Sequence, residues 1–238
     1  MSLSNRSLED IMVEKLAIVI AMYNESDSIK NVLESLRNIR PDDTIIVVDD
    51  GSSDNCHSVA SEVENIHLLR HINNMGQGAA LQTGIEYAKR INMDYVVTYD
   101  ADGQHDAEDI APFLAEIQKG EYDIILGSRF MGKTVNMPKS KYYVLKFSIL
   151  FGYMSSGLKL TDSHNGFRMI NLNRFPDFEM QQNEMAHASE VLDIIRDNKL
   201  SYKEMPCTVI YTDYSKEKGQ SIFNSINIIL EYFIGKAH

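Results

Sequence analysis

The sequence predicts an α/β domain, a mostly parallel central sheet with helices on both faces. Three observations predict it. Short, uninterrupted apolar runs alternate with amphipathic helical stretches, and such alternation implies strands buried on both faces and paired in parallel through right-handed crossovers. The runs end in polar and acidic residues, where the carboxyl ends of parallel strands build sites. Finally, 238 residues with 44% apolar content suffice for one full core.

Residues 16–21 (LAIVIA) are the first strand, leading into Tyr23-Asn24-Glu25. A helix follows, with Asp27 or Ser28 as its cap and Ile29, Val32, Leu33 and Leu36 as one apolar stripe. Residues 44–48 (TIIVV) are the second strand, ended by Asp49-Asp50-Gly51-Ser52-Ser53-Asp54, where Ser53 or Asp54 caps the next helix. Residues 66–69 are the third. They lead through His71 and Gly76-Gln77-Gly78 into a helix with Leu81, Gly84, Ile85 and Ala88 on one face. The fourth strand, residues 95–99, stops at Asp100 and Asp102, followed by Gly103, Gln104 and His105. Ile110, Phe113, Leu114 and Ile117 make another helical stripe, and residues 123–126 start a fifth strand that runs into Gly127-Ser128-Arg129.

The second half is less regular. Residues 139–160 form one or two helices rich in Tyr, Phe and Leu, then come the loop 161–166 and a strand over 167–170. A capped helix carries Ala188, Val191, Leu192 and Ile195. Residues 200–211 read as a strand broken by Pro206, which suits a sheet edge. A polar, lysine-bearing loop precedes a last amphipathic helix over 221–238.

Composition narrows the function. The net charge of −11 argues against wholesale nucleic-acid binding, which wants basic surface. Two cysteines, Cys56 and Cys207, are too few for a disulfide scaffold and read as packing residues in a cytoplasmic protein. No signal pattern opens the chain, and no apolar run reaches the roughly 18 residues that span a bilayer. Two apolar stretches, 142–160 and 222–234, serve core or dimer packing, or a peripheral membrane face flanked by Lys141, Lys146 and Lys159.

Asp100 and Asp102 place hard oxygen donors at one strand end, a set suited to Mg²⁺ or Mn²⁺ carrying phosphates. Asp49 and Asp50 are either turn and cap residues or acceptors for a nucleobase edge. Arg129, Arg168, Lys216 and Lys218 stand in polar loops, either as solvated charges or as anchors for an anionic acceptor. The Gly76-Gln77-Gly78 loop lacks the rest of a dinucleotide fingerprint and of a Walker A motif. His105, Glu184 and His187 are assigned no ligand role.

Ala21-Met22-Tyr23-Asn24-Glu25, Val47-Val48-Asp49-Asp50-Gly51-Ser52-Ser53-Asp54, Asn74-Met75-Gly76-Gln77-Gly78, Asp100-Ala101-Asp102-Gly103-Gln104-His105 and Gly127-Ser128-Arg129 resemble, in order and spacing, the family 2 glycosyltransferases of the glycosyltransferase-A fold. The likeness is greatest to the dolichyl- and polyprenyl-phosphate sugar transferases, whose acceptor-side loop resembles Thr161-Asp162-Ser163 and Gly166-Phe167-Arg168. The resemblance implies an inverting transfer from a nucleoside-diphosphate sugar to a lipid phosphate or a cell-surface glycan, with Mg²⁺ or Mn²⁺. It implies a single catalytic domain over 16–220, after an extension over 1–15. Residues 16–130 would be its nucleotide-binding half and 131–220 its acceptor half.

By motif position the resemblance puts Tyr23, Glu25, Asp50, Gly78 and Asp100 on the nucleotide sugar, and the metal on Asp100, Asp102 and Gln104. Ser128, Arg129, Arg168 and Lys216 would take the acceptor; Asp100, Asp102, Arg129 and Arg168 would carry catalysis. A lipid phosphate is already ionised near neutral pH and needs no general base, whereas a hydroxyl acceptor does. Two departures stand out: Met22 replaces a proline frequent in relatives, and residues 214–221 only loosely match their Arg-Gly-x-Ser-Lys segment. Many relatives carry transmembrane helices after this domain, so the chain is expected at the inner face of the membrane through peripheral contact or a partner. Two other functions fit the residues less closely, a nucleotidyltransferase of sugar phosphates and a catalytically silent scaffold.

Overall fold

A computed structural model describes residues 14–183 and 187–212. The expected C-terminal helix over 221–238, Lys216, Lys218, Glu184 and residues 1–13 of the extension lie outside the described residues. The chain folds as β1 (Leu16–Met22), α1 (Ile29–Ile39), β2 (Thr44–Asp49), α2 (Cys56–Ser61), β3 (Ile66–Arg70), α3 (Gln77–Arg90), β4 (Tyr95–Asp100), a 3₁₀ turn (Ala107–Asp109), α4 (Ile110–Ile117), β5 (Ile124–Val135), α5 (Lys139–Ser156), β6 (Arg168–Asn171), α6 (His187–Asp197) and β7 (Tyr202–Ile210).

The strands form one seven-stranded sheet in the order β3-β2-β1-β4-β6-β5-β7. Its left half is parallel throughout, β1 pairing β2 and β4, and β2 pairing β3. The residues of β1 alternate between two cores. Leu16, Ile18, Ile20 and Met22 face α1 and α4, packing with Ile29, Leu33 and Phe113, while Ala17 and Val19 face α3 and α6, packing with Leu81, Ile85 and Val191. Burial on both faces explains why the strand sequence is apolar without alternation.

α1 buries Ile29, Val32, Leu33 and Leu36, the expected stripe. Its expected cap is different. Ser28 occupies the N-cap position without capping the helix, and its hydroxyl donates instead to Glu25. Asp54 does act before α2, accepting from the Cys56 N–H at 3.0 Å. The apolar stretch after residue 138 is one helix, α5.

On the right half the expected neighbour relations change. β6 inserts between β4 and β5, antiparallel to both. β5 runs the same way as β4 and continues past Arg129 to Val135. β7 pairs with it in parallel at the edge, with an irregularity after Ser128, and it carries Pro206 as expected of an edge strand. Arg168 pairs with both Thr98 and Leu126, so Ser128 stands level with Asp100 at the same edge of the sheet although its strand does not end there.

Gly84 lets α3 lie close on β1: a Cβ there would sit 2.3 Å from Val19 Cγ1. Gly84→Ala is therefore expected to cost about 1–3 kcal/mol by overpacking, read as a lower urea midpoint. Adding Val19→Ala should give a double variant less destabilised than the sum of the singles; strict additivity would refute the contact.

Candidate active site

The ends of β1, β2 and β4 bring Tyr23, Asp49 and Asp100 to one edge. Tyr23 is 44% exposed. Asp49 and Asp50 are both buried against this chain's own polar groups, Asp49 Oδ2 through ion-pair contacts rather than a hydrogen bond. Asp49 accepts from the Ser52 N–H at 2.9 Å and pairs with His57 and Arg70, both at 3.1 Å. Asp50 takes His71 Nδ1 at 2.7 Å, the Met75 N–H at 2.9 Å and the Gly76 N–H at 2.7 Å. His71 in turn reaches Thr83 Oγ1 at 2.9 Å. Thus Asp50 orders the segment 71–76 that leads into α3.

Gly78 also has a task within the chain. Its N–H donates to the Asn183 carbonyl at 2.7 Å, and a Cβ would stand 2.0 Å from the Gln182 carbonyl oxygen. The start of α3 is thereby closed by residues 182–183, a close approach that spacing along the sequence does not display. Gln77, next to it, donates to Asp100 Oδ1 at 3.3 Å and so links this segment to β4.

The turn after β4 gathers the acidic centre. Gln104 donates to Asp102 twice, from its backbone N–H to Oδ1 at 3.0 Å and from its side-chain amide to Oδ2. His105 Nε2 lies 2.8 Å from Asp100 Oδ2. The turn is anchored from the far edge of the sheet. Ile210 N–H donates to the Gln104 carbonyl at 2.8 Å, His105 bridges to Val209, and Thr208 N–H donates to Asp109 at 2.6 Å. Burial and the adjacent Asp100 charge push the Asp102 carboxyl up to about 6, and Glu25 adds to the repulsion. Asp100 is held low by His105, with His187 and Arg129 adding to the effect against its burial.

Two arginines bear on the Asp100 carboxylate electrostatically. Arg129 is buried and every guanidinium nitrogen has a partner. Nε donates to Asp162 at 2.6 Å, Nη1 to the Tyr211 hydroxyl at 2.9 Å, and Nη2 to the His164 carbonyl at 3.1 Å. Arg168 is also buried, but among the described residues the one hydrogen bond of its guanidinium is a long one, 3.4 Å to the Ala188 carbonyl. Burial pulls its pKa down to about 10 while Asp100 and Asp162 pull the other way. Ser128 is fully buried, and its hydroxyl meets Thr161 Oγ1 at 2.6 Å.

Sequence reading passed over Lys141 as a site residue. It stands in the first turn of α5, its pKa lowered by burial and by Arg129, with Asp102 opposing. Among the described residues it forms no hydrogen bond or ion pair. A lysine in the first turn of a helix meets the positive end of the dipole, and this was the signal available for it. Both cysteines are buried, and burial pushes the Cys207 thiol up to about 12 and raises that of Cys56 as well, an environment that disfavours the reactive thiolate.

The carboxylates at the end of β4 thus lie within electrostatic reach of Arg129, Arg168 and Lys141, a charge pattern suited to an anionic group. On the outer face, α5 exposes Tyr143, Phe147, Leu150 and Met154. No helix among the described residues is long and apolar enough to cross a membrane.

Comparison with known proteins identifies the family and the fold. The family model described as "Glycosyl transferase family 2" matches residues 17–178. The chain is 32% identical to the UDP-N-acetylglucosamine–dolichyl-phosphate N-acetylglucosaminyltransferase of Methanococcus voltae over 91% of this chain and 94% of that protein. It is 27% identical to the undecaprenyl-phosphate mannosyltransferase of Micrococcus luteus, covering 88% and 92%. Among solved structures, glucosyl-3-phosphoglycerate synthase from Mycobacterium tuberculosis, in complex with Mn²⁺, UDP and phosphoglyceric acid, superposes with a TM-score of 0.67 at 14% identity. That match covers 92% of this chain and 78% of the other. The sheet, the carboxylate turn at the end of β4 and the family match together make this chain a member of glycosyltransferase family 2, a transferase with the glycosyltransferase-A fold.

Proposed function

We propose that this glycosyltransferase moves a sugar, with inversion, from a nucleoside-diphosphate sugar to a polyprenyl phosphate. The observation that carries the reading is that the carboxylates at the end of β4 and two cations act on one another, Asp100 on buried Arg168 and Asp102 on Lys141, a setting for two phosphate groups of different origin. The names of the Methanococcus and Micrococcus relatives, both acting on lipid phosphates, support the acceptor class. The choice between sugar transfer and nucleotidyl transfer falls to sugar transfer with the family assignment.

The donor set fits a divalent cation. Asp102 is pushed up by its neighbours' negative charge, and a cation at Asp100, Asp102 and the Gln104 amide oxygen would relieve that repulsion; hard oxygen ligands suit Mg²⁺ or Mn²⁺. Bound there, it would neutralise charge on the departing diphosphate. Tyr23 and Glu25 flank the nucleotide in this reading, and Asp50 acts on it by ordering residues 71–76.

On the acceptor side, Arg168 and Lys141 receive the lipid phosphate. An oxygen of that phosphate attacks the anomeric carbon; the new C–O bond forms as the bond to the diphosphate breaks, and the electron pair leaves with the nucleotide. No proton has to be removed from the nucleophile, so positioning and charge stabilisation carry the rate. Arg129 takes part by holding the loop 161–166 through Asp162 and His164. The exposed aromatic face of α5 lies against lipid at the inner face of the membrane, with Lys139 and Lys146 toward anionic headgroups.

Thermal denaturation with UDP or GDP tests the donor half. One of them should raise the melting temperature, and more so with Mn²⁺ than without; no shift with either, or a shift indifferent to metal, refutes it. For the acceptor half, Lys141→Met should raise KM for a polyprenyl phosphate about 10-fold, the loss expected for one charge-assisted phosphate contact, at unchanged donor affinity. An unchanged KM removes Lys141 from the acceptor site.

A further inference from the structure

Among the polar groups around the carboxylate turn, His105 is spent in an unusual way. The residue is 7% exposed, and its ring is set against Tyr99 at 5.5 Å and Phe167 at 5.4 Å between centroids. Its backbone is pinned as well, by the Tyr99 hydroxyl donating to the His105 carbonyl at 2.6 Å and by the bridge to Val209. The ring therefore has one orientation. In it, Nε2 lies 2.8 Å from Asp100 Oδ2, and since an ionised carboxylate only accepts, Nε2 is the donor. Nδ1 is buried without a hydrogen-bond partner. A buried polar atom left unpaired is costly, so packing alone would favour an apolar ring here. All the polar chemistry of this side chain goes to one carboxylate oxygen.

The other contacts of Asp100 point the same way. Gln77 donates to Oδ1 at 3.3 Å, and a Cβ on Gly166 would come within 2.9 Å of both carboxylate oxygens, so the carboxylate lies flush against the backbone there. Asp102 has no such support from a ring; its side-chain partner is Gln104, two residues away in the same turn.

We infer that His105 is a positioning residue for the metal-diphosphate site: it holds the Asp100 carboxylate in one orientation and occupies one side of Oδ2, leaving the remaining lone pairs aimed at the cation. A hydrogen-bond partner that orients a ligating group raises its effectiveness as a ligand. The inference rests on the metal assignment of the proposed function, and the experiment separates the two.

The test compares His105→Phe, which keeps the aromatic packing and removes the donor, with His105→Gln, which keeps an N–H at similar reach. Mn²⁺ affinity is measured by isothermal titration with saturating nucleoside diphosphate, alongside the metal-free melting temperature. His105→Phe is expected to weaken Mn²⁺ about 10–100-fold, with His105→Gln recovering most of the loss and both melting close to the wild type. Wild-type affinity in the Phe variant, or equal weakness in the Gln variant, overturns the positioning role while leaving the metal assignment in place. Failure of the wild type itself to bind Mn²⁺ removes both.

Should His105→Phe not fold, the unaltered protein supplies the answer through the NMR signal of the His105 Nε2–H. This proton should move on Mg²⁺ addition with the same midpoint as the bound nucleotide. A signal indifferent to Mg²⁺ overturns the inference.

Discussion

Asp102→Asn should lower kcat/KM by about 10²–10³-fold, the cost of removing one electrostatic group aimed at developing charge, and should abolish the added thermal protection that Mn²⁺ gives the nucleotide-bound protein. In the metal-free protein the same substitution should raise stability. The reason is the environment of the carboxylate. Its acid form is favoured up to about 6 by burial and by Asp100, so at neutral pH the ionised group opposes folding. An acid whose pKa is raised on folding loses native stability as pH climbs from the unfolded value near 4 through that raised value. The amide that replaces it carries no such charge. After allowance for the partial exposure of the site, the gain is about 1 kcal/mol, or about 2–4 °C in melting temperature for a domain of this size. Calorimetry in EDTA, set beside the Mn²⁺ titration, checks both halves. A variant less stable than wild type without metal would show that Asp102 is a structural residue rather than one held in tension for a ligand.

The second large effect falls on stability. Arg129→Met should destabilise the protein by about 3–5 kcal/mol, because removing one partner of a buried pair leaves the other charge uncompensated. That charge is Asp162, which is 3% exposed. Asp162 accepts from Arg129 twice, through the backbone N–H at 3.1 Å and through Nε at 2.6 Å. Its own backbone N–H donates to Glu204 at 3.0 Å, and Tyr211 closes the network from the end of β7. The substitution thus loosens β5, the loop 161–166 and β7 together. At about 2–4 °C per kcal/mol for this size, a melting-point loss of roughly 6–20 °C follows. Replacing both members, Arg129→Met with Asp162→Leu, should recover much of it, since neither charge then remains buried. An unchanged melting point in the single variant would mean that the guanidinium is free, as an acceptor-phosphate ligand would have to be.

These two residues also mark the boundary of what sequence reading reaches. Asp100 and Asp102 were legible because a strand that stops in carboxylates is a local pattern, and a parallel sheet sends every such end to the same edge. The apolar stripe of α1 and the edge position of β7 were legible for the same reason, one from helical period and the other from Pro206. The partner of Arg129 was not: it lies 33 residues away in sequence at Asp162 and 82 away at Tyr211. Nor was the occupation of Asp50 by His71, 21 residues on. Neither pairing leaves a periodic trace, because each depends on how two loops cross.

The amino-acid order by itself determined the alternation of strand and helix, the two-faced burial of β1, β2 and β4, and the acidic carboxyl ends. These follow from side-chain hydrophobicity repeated at fixed intervals, which is written residue by residue. Only the tertiary structure decided that β6 enters antiparallel between β4 and β5, that Arg129 is consumed by Asp162, and that Lys141 stands among the charged groups of the site with no partner among the described residues. Those outcomes depend on which distant segments desolvate one another, and that is settled by the packing of the whole sheet rather than by any stretch of it.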